Sequence, residues 1–372
     1  MKKLINQWTL GPTLASNSDK ALLQNFTNTI IDRGADGWRM WYSKYKLAEK
    51  EYNFGYMDLT HDFKVVHNVL AEITDKPGAD GLKILGIPSH WNIVQPVYIR
   101  LPDGRERLYF WGHGSEGVCR YEIAESTDGV NFFVKDWRRP TLYHPNDRAI
   151  TRDSLKHKSL TIYCHCMHRD PDPKEPEASE DMLMNDATNV YLLPNGTFEL
   201  YSADVVELPK DAPEPHQKDP VIRFVQRRTS ADGIHWSKSQ RVVFRDDRDP
   251  FDLQFYYLAM NCRPNGNRIG FLGHYRSDPG TMDIECCFSK DGIDWKRTRI
   301  PDFPREKGIA SVYASNAMIE KDGLYYLFYS AFNHTHHGDI DPESKESKLM
   351  SWLRVATIPV SVLDEYIEDA LR

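Results

Sequence analysis

The chain is poor in cysteine, with six in 372 residues, at positions 119, 164, 166, 262, 286 and 287. Their irregular spacing and the adjacent pair Cys286-Cys287 build no disulfide framework, so they read as buried thiols of a reducing compartment. No apolar run approaches the roughly 20 residues that a membrane helix needs, which removes the bilayer as a partner. The start, Met1-Lys-Lys-Leu-Ile-Asn-Gln-Trp8, is basic and briefly apolar, but Asn6 and Gln7 interrupt it before a secretory core develops. A cytoplasmic location is the expectation. Basic runs are missing as well: 47 Lys and Arg stand against 54 Asp and Glu, and a net charge of −7 argues against nucleic acid as the main partner.

What the chain has is aromatic residues and a repeat. An apolar run, an Asp-Gly or Asn-Gly pair and an aromatic-rich run recur at Asp36-Gly37, Asp103-Gly104, Asn195-Gly196, Asn265-Gly266 and Asp322-Gly323. These dipeptides supply the positive φ angles of tight hairpin turns, so each copy predicts two antiparallel strands. Successive copies are 67, 92, 70 and 57 residues apart, roughly the period of a propeller blade with variable loops. The middle three copies are followed by a second pattern, Ser-x-Asp-Gly-(Val or Ile)-x-aromatic, at 126–132, 230–236 and 289–295. Its serine and aspartate bond their own backbone in a turn while the aromatic ring packs between neighbouring sheets. That places it between the third and outermost strands of a blade. Thr60-His-Asp62-Phe63 is a weaker copy in the first blade, and the fifth has none.

These patterns predict one all-β domain, a five-bladed β-propeller with a short C-terminal helix from Ser361. The blades run over about 21–75, 90–145, 159–245, 251–300 and 311–358, and a strand within residues 1–20 closes the last sheet. A strand at 159–164 has no certain place in this scheme. Two polar insertions, 169–181 and 204–220, read as solvated loops or as a lid or subunit contact.

The first strand of each propeller blade lines the channel. Aligning the copies on their turns brings Asn28, Gln95, Asn189, Tyr257 and Asn316 to one level, with Asn25, Asn92, Asp186, Gln254 and Tyr313 three residues earlier. So many amides at equivalent positions either hold the blades around the axis by bonding one another, or form a polar floor for sugar hydroxyls. A histidine follows the second strand in three copies, as His113, His274 and His334, with Arg276 beside the second of these. Repetition makes them site candidates, and Trp91 is a candidate stacking platform as well as a core residue. Cys164, Cys166 and His168 share a strand face with metal-ligand chemistry, though buried thiols are the plainer reading. No cofactor is required, but a divalent ion could sit at the His334, His336, His337, Asp339 and Asp341 loop.

At this point the sequence resembles the five-bladed propeller glycosidases, the fold of glycoside hydrolase families 43, 32, 117 and 130. The resemblance rests on the two turns ending in Trp236 and Trp295, on Asn185-Asp-Ala-Thr-Asn-Val-Tyr191, and on Tyr325-Tyr-Leu-Phe-Tyr329 with His334. It implies acidic residues on channel strands, one acting as base or nucleophile and one as proton donor. Where family 43 members carry aspartates in the first two blades, Asn25, Asn28, Asn92 and Gln95 stand instead. Asp186 alone matches in type and place. Arg248-Asp249-Pro250 looks like the Arg-Asp-Pro of family 32 but precedes the fourth blade.

Asp252 and Glu116 are the candidates for the missing acids, and the resemblance to family 117 lets a histidine such as His274 take that part. Three functions remain open. The chain hydrolyses a small oligosaccharide or sugar-acid glycoside, transfers a glycosyl group to phosphate held near His274 and Arg276, or binds carbohydrate without turnover.

Overall fold

The computed structural model describes residues 4–17, 21–46, 48–150, 178–207 and 221–371. The 159–164 strand, the Cys164-to-His168 run, 169–177 and 208–220 lie outside them. The regular elements of the described chain are nearly all strands, arranged as successive, mainly antiparallel meanders. After β1 (Thr9–Ser16) comes the first meander: β2 (Leu22–Gln24), β3 (Ile30–Asp32), β4 (Trp38–Lys46), β5 (Glu51–Leu59) and β6 (Val65–Ile73). The second comprises β7 (Leu82–Leu85), β8 (Asn92–Arg100), β9 (Glu106–Gly114), β10 (Val118–Ser126), β11 (Asn131–Val134) and β12 (Leu142–Tyr143). The third comprises β13 (Asn189–Leu192), β14 (Phe198–Glu207), β15 (Val221–Ser230) and β16 (Gln240–Val243), and the fourth β17 (Leu253–Cys262), β18 (Arg268–Arg276), β19 (Thr281–Ser289) and β20 (Trp295–Arg297). The fifth holds β21 (Ser311–Ala314), β22 (Ile319–Lys321), β23 (Leu324–Phe332) and β24 (Ser351–Pro359), before helix α1 (Val360–Leu371).

Local chemistry fixes the turns. Gly37, Gly104, Gly196, Gly266 and Gly323 all have positive φ, between 77° and 89°, as the tight hairpins between successive strands require. The serine-aspartate turns form the same bonds three times. Ser126, Ser230 and Ser289 donate to the aspartate two residues on at 2.9, 2.9 and 3.0 Å, and accept the N–H of the following glycine at 3.0, 2.9 and 2.8 Å. Each serine ends a third strand, as expected.

These turns also dock meander on meander. Tyr109 donates to the Gly233 carbonyl at 3.0 Å and Tyr201 to the Gly292 carbonyl at 3.2 Å, while Trp236 donates to Thr141 at 3.0 Å.

Side chains alternate across each strand, so every sheet has two faces, and the core is divided into clusters between neighbouring sheets. Trp41 and Phe54 of the first meander pack with Ile93 and Phe110 of the second. Tyr109 and Trp111 join Val190 and Leu200 of the third, and Tyr201 and Val225 join Phe255 and Leu272 of the fourth. Phe271 and Ile284 pack with Leu327 and Ile358 of the fifth, where Leu363 and Ile367 of α1 add their side chains. Phe328 and Leu353 return to Trp38 and Leu59 of the first. Strand β1 pairs antiparallel with β24, so the N-terminal segment extends the last meander. The result is a propeller-like all-β fold.

Candidate functional site

The inner ends of the meanders carry two layers of polar residues with different duties. The lower layer is bonded to itself. Asn316 donates its side-chain N–H to Asn189 Oδ1 at 3.0 Å and its backbone N–H to the Asn28 carbonyl at 3.0 Å. Asn189 donates to the Leu258 carbonyl at 2.9 Å, and Tyr257 accepts the Ala314 N–H at 2.7 Å. Gln95 accepts the Ala187 N–H at 3.1 Å and donates its own N–H to Ser43 at 3.0 Å. Asn28 is fully buried with its amide against Ser43. Only Asn189 and Asn316 join amide to amide; the rest bond backbone groups or Ser43, which makes the layer a structural lock rather than a floor open to a ligand.

Much of the upper layer is also engaged. Asn25, fully buried, exchanges hydrogen bonds with Ser330 on the fifth meander. Asn92 accepts the Tyr52 N–H at 2.8 Å, and Gln254 bridges Arg223 and the Val221 carbonyl. Asp186 differs. It is half-buried, and its carboxylate has no hydrogen bond or ion pair to any described residue.

Side chains from several meanders gather near Asp186. Burial raises the Tyr45 and Tyr256 phenols above their ordinary range, and the nearby Asp186 charge pushes them further the same way. Burial lowers the His144 imidazole, with Asp186 opposing it. His144 accepts the Asn146 N–H through Nδ1 at 3.1 Å and donates from Nε2 to Asn185 Oδ1 at 2.8 Å, which fixes it as the neutral tautomer. The same Asn185 oxygen accepts the Asp186 N–H at 2.8 Å. On the other side the Tyr256 ring lies 6.0 Å from Phe26 and 6.4 Å from Tyr313, and the Arg223 guanidinium stands 5.3 Å above its centroid. This grouping, the cup, sets the Asp186 carboxylate among phenols, a neutral imidazole, an amide and the Arg223 guanidinium of the described residues. It suits a ligand with an apolar face and many hydroxyls.

The remaining candidates lie in other bonds. Burial pushes His113 down to about 4, and the neighbouring His144 adds to the shift, so its ring is neutral; Nδ1 meets the Cys119 thiol at 3.2 Å. Trp91 is buried in the core, edge-on to Trp137 at 5.1 Å, and is no exposed platform. Its Nε1 donates to Glu116 at 2.9 Å, and His90 meets the other Glu116 oxygen at 3.2 Å. Burial would raise Glu116, but its own backbone N–H and these two partners together hold it below the usual carboxylate range. His274 is buried against Glu285 at 2.8 Å, and Arg297 occupies the same carboxylate. Asp252 is buried with Oδ1 on Arg276 at 2.8 Å and Oδ2 without a partner among the described residues. His334 turns Nδ1 to the Thr335 carbonyl and His337 meets the Ser277 carbonyl, while His336 reaches the Tyr256 and Tyr275 rings at 5.2 and 5.1 Å. Among the described residues no three His, Cys, Asp or Glu side chains are grouped to hold a metal ion, in this loop or elsewhere.

Sequence reasoning missed Tyr45, His144, Asn185 as a bonded group, Arg223 and Tyr256. Tyr256 adjoins an aligned channel residue and was within reach of the repeat. His144 and Arg223 occupy no repeated position.

No family model matches the chain, and no curated protein matches it. Solved structures do. An N-acetylgalactosamine deacetylase from F. plautii, crystallised with blood group B trisaccharide, is 13% identical over 97% of this chain and 96% of its own, with a TM-score of 0.53. A glycoside hydrolase is 13% identical over 93% and 90%, at 0.58. A thermostable family-43 glycoside hydrolase is 8% identical over 90% and 89%, at 0.54. The chain thus has the propeller-like fold that solved glycoside hydrolases adopt.

Proposed function

We propose that the five meanders are five blades around one axis and that the cup at their inner ends binds a small oligosaccharide or sugar-acid glycoside, which the protein hydrolyses. The observation that carries this reading is Asp186, a carboxylate without a partner among the described residues, close to Tyr45 of the first meander, His144 after the second and Tyr256 of the fourth. An unpaired carboxylate can take a proton from water or attack an anomeric carbon, and Asn185 beside it offers an N–H donor to a sugar hydroxyl. The second carboxyl of this reading is Asp252, whose Oδ2 lacks a partner among the described residues while Oδ1 meets Arg276. Glu116 is unsuited to donate a proton, since its bonds favour the ionised form.

The test is turnover on a panel of aryl glycosides and short oligosaccharides, with and without inorganic phosphate. Asp186→Asn should cut hydrolysis by two to four orders of magnitude, about the range for acid-base groups, while leaving the fold unchanged. Near-native turnover by that variant would remove Asp186 from the chemistry. Product formation that requires phosphate would replace hydrolysis with phosphorolysis. His274 and Arg276, which would hold the phosphate, are however already paired with Glu285 and Asp252.

A second reading is a sugar-binding propeller without turnover. It is favoured by the engagement of Glu116 with Trp91 and His90 and of Asp252 with Arg276. Binding across the panel with no product would establish it.

A further inference from the structure

A cavity beside β10 shares no lining residue with the cup. Along β10, the short strand β12 pairs with Arg120 and Tyr121, and β11 pairs with Ala124 and Glu125. Between these pairings the sheet edge opens at Glu122 and Ile123 into a cavity of about 900 Å³, walled by Phe133, Thr141, Ile234 and Trp236. Phe133 and Ile234 are 51% and 40% exposed, unusual for large apolar side chains. Trp236 is held in place by its bond to Thr141.

The repeat shows what is special here. Counted back four residues from the serine that ends each third strand, Glu122 corresponds to Gln226 and Glu285. Glu285 receives His274 at 2.8 Å, Arg297 at 2.9 Å and the Arg299 N–H at 2.9 Å, and Gln226 donates to Ser202 at 3.1 Å. In the second meander, Gly112 stands at the position of His274, and Val134 at the position of Arg297. Glu122 is left 1% exposed, with no hydrogen bond to any described residue and Oε1 fully enclosed. Burial raises its carboxyl well above the ordinary range, with the nearby Arg120 guanidinium opposing the shift, which favours the protonated form, a group that can donate and accept. The matching turn at 289–295 borders a smaller cavity, about 470 Å³, lined by no buried acid.

An isolated buried polar group is costly, and a ligand that bonds to it recovers that cost. Most rim charges are paired, Glu125 with Arg107, Asp136 with Arg139 and Asp181 with Lys238, and Lys135 adds one cation to the lining. An ionic ligand finds little net charge there. A hydroxyl, which donates and accepts at once, matches a neutral carboxyl, and the flat faces of Phe133 and Trp236 match the apolar face of a sugar ring.

We infer that the cavity beside Glu122, Phe133 and Trp236 is an accessory binding site for a neutral oligosaccharide, holding a chain on the flank of the molecule apart from the cup. The inference rests on the sugar-processing reading above.

The experiment is an array of neutral oligosaccharides of xylose, mannose, galactose and arabinose, followed by calorimetric titration of the best binder. The full chain would be compared with Phe133→Ala, Glu122→Leu and, for the cup, Tyr256→Ala. Phe133 is on the surface, so its truncation leaves the fold intact even if Glu122→Leu does not. Binding that weakens at least tenfold in Phe133→Ala and persists in Tyr256→Ala supports the flank site. Binding that is lost only in Tyr256→Ala overturns it and leaves the cup reading standing. Absence of binding to every oligosaccharide overturns it too, and turnover by the cup then decides the fate of the other reading separately.

Discussion

Asn185 Oδ1 already accepts two hydrogen bonds, from the His144 ring and from the Asp186 backbone, which leaves its Nδ2 as the half of the amide without a described partner. A donor locked in this way next to an unpaired carboxylate loses little orientational freedom when a substrate arrives. Asn185→Ala should therefore lower kcat/KM by ten- to a hundredfold, about the loss of one or two good hydrogen bonds, with an unchanged circular dichroism spectrum. An unaltered kcat/KM would show that the amide faces no substrate. The repeat exposed Asp186 because it stands at an aligned position, but alignment says nothing about what an amide bonds to. Asn25 meets Ser330, 305 residues away, and Asn316 meets Asn189, 127 residues away. These partners lie on other meanders, so a polar floor and a polar lock look identical until the sheets are assembled. The Glu116 bonds to Trp91 and His90 are equally invisible, since they depend on how the 114–117 turn folds back over β8.

Turns were the most legible elements because their causes are local. An Asp-Gly pair needs only its own glycine at positive φ, and the serine-aspartate turn satisfies its donors within four residues. Docking of those turns on the next sheet adds a cost that the local pattern does not show. A Cβ at Gly104 would meet nothing within 4 Å, whereas one at Gly233 would lie 2.4 Å from the Tyr109 hydroxyl and 2.7 Å from the Arg107 guanidinium. Both glycines have positive φ, at 89° and 72°. Gly104→Ala should cost about 1 kcal/mol of stability, from backbone strain alone. Gly233→Ala should cost about 2 to 4 kcal/mol, because overpacking against the second meander adds to the strain. Urea unfolding midpoints of the two variants would check this, and equal shifts would mean that the third meander's turn does not bear on the second.

At the scale of the molecule, sheet is joined to sheet by clusters shared between neighbours, and the fifth cluster returns to the first meander. Strand β1 is the outermost strand of that last sheet: it pairs with β24, and Trp8 donates to the Asp302 carbonyl at 3.0 Å. Deleting residues 4–17 would leave β24 with an open edge, the usual template for pairing with another chain. The truncated protein should melt at lower temperature and form oligomers visible by light scattering. A monomer with the native melting temperature would show that the pairing of β1 adds nothing. A strand near the N-terminus that joins the last sheet was readable from the sequence, while the order in which the sheets adjoin depends on contacts between distant residues.

The pairing of β1 with β24 also sets an order of events during synthesis. Strand β1 leaves the ribosome long before its partner, which does not exist until more than three hundred further residues have been added. Through that interval it must avoid pairing with itself or with a neighbouring nascent chain, and Gly11 and Pro12 at its middle, where its register with β24 slips, make it a poor template for any early match.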